Sequence, residues 1–75
     1  MQSATRALIP PAARQLAEVE QTIGALEGRL NLLGAELQAA SAAQDMALLT
    51  DLGLEYQQLA DELERKYGEW EKLAS

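Results

Sequence analysis

The sequence predicts an all-α protein, a two-helix antiparallel coiled-coil hairpin, and three observations carry that expectation. Ala, Leu, Glu and Gln dominate the chain, and all four are good helix formers. Phe is absent and Val and Ile are scarce, which disfavours a sheet. Two apolar seams with alternating three- and four-residue spacing flank a short segment that contains cap-forming residues.

Residues 1–13 read as a leader or linker, and residues 14–75 as the hairpin. Pro10-Pro11 forbids a continuous helix through the leader, because the second proline holds the first extended. Pro11 itself suits the first turn of a helix that begins there. Leu16, Val19, Ile23, Leu26, Leu30, Leu33 and Leu37 then form an unbroken seam, so helix one is expected at about 12–40. Glu18, Glu20, Gln21, Glu27, Arg29, Asn31 and Glu36 lie between the seam positions and suit a solvated face.

The stretch Ala39-Ala40-Ser41-Ala42-Ala43-Gln44-Asp45 carries no seam, and Ser41 and Asp45 are both candidate N-caps for a second helix. Its length fits a tight helix–helix connection. A second seam, Leu49, Leu52, Tyr56, Leu59, Leu63, Lys66, Trp70 and Leu73, places helix two at about 46–74. Two such helices joined by a short connection run antiparallel. Folding the chain about residue 43 sets Leu37 near Leu49, Leu30 near Tyr56, Leu26 near Leu59, Ile23 near Leu63 and Leu16 near Trp70. Gly34 then falls opposite Gly53, either as a close backbone approach or, more commonly, as a pair of tolerated helix glycines. The five helix glycines, 24, 28, 34, 53 and 68, each cost up to about 1 kcal/mol relative to alanine, so the hairpin is expected to be marginal alone.

Composition also bounds the function. A chain of 75 residues buries little core. It has no Cys for a disulfide or thiolate site, and no His as general base or metal ligand. No Gly-rich phosphate loop is present, and carboxylate pairs such as Asp61/Glu62 and Glu69/Glu71 fall on a solvated face. A non-catalytic domain with no cofactor is therefore expected. No apolar run spans a bilayer and no signal peptide is evident, so no membrane partner and a cytoplasmic location are expected.

Twelve acidic against six basic residues leave a net charge of −6, which repels phosphate as a bulk property. Four of the cations, Arg14, Arg65, Lys66 and Lys72, nevertheless fall toward the open end, where the termini meet. Arg65 and Lys72 are seven apart and share a helical face. With Tyr67 as a stacking neighbour, Arg14, Arg65 and Lys72 form the candidate nucleic-acid site. The plainer alternative is that Glu18, Glu62, Glu64, Glu69 and Glu71 pair with these cations on a solvated face. Lys66, the one charged seam residue, is expected to pack its stem and send its ammonium to solvent, Glu20 or Glu62. Trp70 is expected in the core, and Tyr67 at its edge.

The run Arg14-Gln15-Leu16-Ala17-Glu18, continuing through IGALEGRLNLLGAELQAA, resembles the first helix of the C-terminal coiled-coil domain of Uup-type ABC-F ATPases. ALLTDLGLEYQQLADELERKYGEWEKL resembles that domain's second helix. The closing KYGEWEKL is the most specific piece, with Tyr67, Trp70, Glu71 and Leu73 matching the family's usual ending. The connection AASAAQDM and the preceding ALIPPAA depart from the family, whose members often carry an Asp-Pro connection and more basic residues before helix one. The resemblance covers residues 14–74. It implies a domain attached to two ATP-binding cassettes, in a cytoplasmic protein that acts on ribosomes or in nucleic-acid transactions, with DNA or ribosomal RNA as the contact. The cassette motifs lie outside these residues. The other expectation is a structural hairpin that self-associates or docks on a protein.

Overall fold

The computed structural model describes residues 11–75, and the first ten residues of the expected leader lie outside the described residues. Helix α1 spans Pro11–Ala42 and helix α2 spans Met46–Ala74. Residues 11–13 thus form the first turn of α1. Pro11 opens that turn, where its missing N–H breaks no helical bond. The two helices pack along their length in opposite directions, so that Arg29 meets Glu55 while Glu20, nearer the N-terminus, meets Trp70.

The reversal is tighter than the seamless stretch suggests. Helix α1 runs through Ser41 to Ala42, and only three residues, 43–45, connect the helices. The Gln44 N–H donates to the Ser41 carbonyl and the Asp45 N–H to the Ala40 carbonyl, both at 3.0 Å. This bond pair closes a helix through a left-handed residue, and Gln44 takes that role at φ 55°. Of the two candidate caps, Asp45 is the one used. Its Oδ1 accepts from the Leu48 N–H at 3.1 Å and satisfies one of the orphan donors of α2.

The core lies in the tip half. Leu33, Ala40 and Leu52 are 2%, 3% and 6% exposed, and Leu37, Leu49 and Leu59 pack against them. Ala40 corrects the expected end of the seam at Leu37. It sits three residues further along the same face, and a small side chain fits where the helices converge on the turn. Ile23 is the other buried residue, while Leu16, Val19, Leu26, Leu30, Leu63, Lys66, Trp70 and Leu73 are half-buried. Tyr56, expected within the seam, stays 39% exposed. A pair of helices has no third element to cover its edge, so a long side chain at the rim leans outward.

Gly34 and Gly53 make no close approach. A Cβ at either would meet nothing within 4 Å, and the same holds at Gly24, Gly28 and Gly68. The plainer expectation for the glycine pair is the one found. Among the described residues, no helix is long and apolar enough to cross a membrane.

Candidate nucleic-acid interface

Helix geometry decides which candidate residues meet. At about 100° per residue, Arg65 and Lys72 project from nearly the same side of α2, whereas Arg65 and Tyr67 point in nearly opposite directions. The structure follows this division. Arg65, Lys66 and Lys72 line one shallow groove of about 450 Å³, together with Glu62, Gly68 and Glu69. Lys72 and Glu69 continue into a second groove of about 330 Å³, whose other wall is Gln15, Glu18 and Val19 of α1. Arg14 stands one turn before Glu18 and so on the same side of α1. Arg65 and Lys72 therefore fall along one edge of the hairpin at its open end, and Arg14 stands exposed on α1 one turn from that edge's Glu18.

Tyr67 lies on the other edge. Its hydroxyl donates to Glu27 Oε2 across the helix interface, and the ring is not among the groove residues beside Arg65 and Lys72. The hydrogen bond to Glu27 raises the Tyr67 pKa above its ordinary value of 10.0, because the carboxylate accepts the phenol proton; desolvation and the repulsion of the Glu27 charge add to the effect. Trp70, half-buried at the seam, sends its indole N–H to Glu20 Oε2 at 3.0 Å. Glu20 and Glu27 stand seven apart on α1, so both aromatic–carboxylate bonds form on one side. The residue spacing identifies both acids as flanking the seam, but which side chains they accept from depends on the stagger of the helices.

The cations divide as well. Arg29 bonds Glu55 at 3.0 Å, and Lys66 bonds Glu69 at 3.2 Å. Lys66 thus reaches neither Glu20 nor Glu62. Glu69 is one turn ahead on the same helix and accepts without the ammonium having to cross the seam. Among the described residues, Arg14, Arg65 and Lys72 form no ion pair, so the expected pairing with surrounding glutamates does not engage these three. All three are exposed. Lys72 also stands in the last turn of α2, where a cation complements the negative end of the helix dipole.

Residues 12–75 match the family model described as the ABC transporter C-terminal domain. The chain belongs to that family. The match runs from the first turn of α1 to the last residue and takes in both helices and the turn. No curated protein and no solved structure matches the chain. In this ABC transporter C-terminal domain, the KYGEWEKL segment supplies both the Trp70 bond to α1 and the Lys72 end of the cationic edge.

Proposed function

We propose that this hairpin is a non-catalytic contact arm of an ABC ATPase, and that it touches the phosphate backbone of DNA or ribosomal RNA through Arg14, Arg65 and Lys72. The observation that carries this reading is the set of three exposed cations at the open end that form no ion pair among the described residues, two of them, Arg65 and Lys72, on one edge. Tyr67, held by Glu27 on the other edge, is left out of this contact. Glu18, Glu62 and Glu69 share the grooves, so the edge is mixed in charge and the attachment is weak. Its affinity is no tighter than the roughly 10⁻⁴–10⁻⁶ M of non-specific binding, and it falls steeply with salt because counterion release drives it. Neighbouring cassettes raise the effective concentration and supply the missing affinity.

The test is a titration of labelled DNA and RNA at low and moderate salt, with Arg14, Arg65 and Lys72 all changed to Ala in one variant. Loss of binding in that variant supports the edge, and unchanged binding removes it. A docking module for a protein is the second reading, favoured by the exposed Leu32, Met46, Leu48 and Leu54. Absence of nucleic-acid binding at low salt selects it.

A further inference from the structure

We propose that the edge opposite Arg65 and Lys72 is a docking surface for an arginine- or lysine-bearing segment of a protein partner. It is independent of the phosphate contact proposed above. Its centre is a groove of about 400 Å³ between the helices, with Leu30 and Leu63 as apolar floor and Tyr56, Glu27 and Asn31 around it. Tyr56 and Tyr67 are 39% and 41% exposed. Together with Trp70 they are all the aromatic residues of the chain.

Charge completes the complementarity. Glu64, Tyr67 and Glu71 succeed one another at three- and four-residue spacing and so form one stripe of α2. Tyr67 bonds Glu27, which brings that stripe against the Glu20 and Glu27 side of α1. The described cations fall elsewhere: Arg65 and Lys72 lie on the far side of α2, Arg29 on Glu55 and Lys66 on Glu69, and Arg14 stands one turn before Glu18 on α1. The edge thus combines exposed aromatic rings with carboxylates and, among the described residues, no neutralising base. A guanidinium or ammonium laid on a tyrosine face gains a cation–π contact, and the adjacent carboxylates accept its N–H groups. The aliphatic stem of the same side chain fits the leucine floor. A phosphate backbone meets only repulsion here, which leaves a cationic peptide as the fitting occupant.

The experiment titrates the full 75-residue chain into a labelled Arg–Gly repeat peptide at low salt, followed by anisotropy. Saturable binding is expected, with an uncharged Ser–Gly repeat showing none. Tyr56→Ala should weaken binding about fivefold, the size of one exposed cation–π contact. Should circular dichroism show that this variant unfolds, the exposed pair Glu64→Gln with Glu71→Gln decides in its place, and it too should weaken binding. Glu36→Gln with Asp51→Asn removes the same charge from exposed positions away from this edge and should leave binding unchanged. Equal weakening in the two charge-matched pairs would reduce the attraction to net charge and overturn the proposal. So would equal binding of the uncharged peptide, or no binding of the arginine peptide at all.

Discussion

The two ends of this hairpin are held together by different physics. Near the tip, Leu33, Ala40 and Leu52 exclude water almost completely, and the residues packed on them are leucines. Toward the open end, the seam residues Leu16, Val19, Trp70 and Leu73 are only half-buried, and the specific links between the helices are the hydrogen bonds Trp70–Glu20 and Tyr67–Glu27. A buried leucine contributes roughly 1.5–3 kcal/mol relative to an exposed one, whereas a typical hydrogen bond nets about 1 kcal/mol, and less in contact with water. Stability is therefore concentrated at the tip, and contact chemistry at the open end. The division suits a contact arm, since the exposed cations Arg14, Arg65 and Lys72 lie away from the core that sets the register.

The sharpest way to break this comparison is to truncate one leucine at each end. Leu33→Ala should cost about 2–5 kcal/mol, enough to unfold a domain this small, while Leu16→Ala should cost clearly less because its site already meets solvent. Thermal melts followed by circular dichroism read both, and equal losses would mean that the tip core is not dominant. A gain at the tip is the next largest effect. Gln44 holds a left-handed φ of 55° that glycine adopts freely, so Gln44→Gly should raise stability by about 1 kcal/mol. A loss would show that the Gln44 side chain, rather than the backbone bonds around it, holds the turn.

The smallest effect tests the open end through pH. Tyr67 has its pKa raised above 10.0 by donating to Glu27, so its contribution is fully present below pH 10.0 and is lost as pH rises through the raised value. Alkaline unfolding of the natural chain should therefore steepen above that pH relative to Tyr67→Phe, in which no phenol titrates at this position. Superimposable profiles would remove the Tyr67–Glu27 bond from the account of how the open end is held.

The two helices, their order and nearly their bounds were legible in the residue pattern alone. A periodic apolar seam defines a helical face, and Asp45 with its acceptor oxygen marks where the second helix begins. The same pattern grouped Arg65 with Lys72, because seven residues return to the same side of a helix whatever lies around it. Other features arose only when the helices met. Ala40 became core and Tyr56 did not, because burial along a seam depends on how closely the helices approach at each level, which side-chain size sets and spacing alone does not. Tyr67 parted from the cations near it in the chain because neighbours two apart on a helix face away from each other, and Glu27 stood within reach on the far edge. Lys66 turned to Glu69 one turn ahead on its own helix, whereas Trp70 reached Glu20, and Tyr67 reached Glu27, across the interface. Such pairings depend on the rotation and stagger of one helix against the other, and these are set jointly by every contact along the interface.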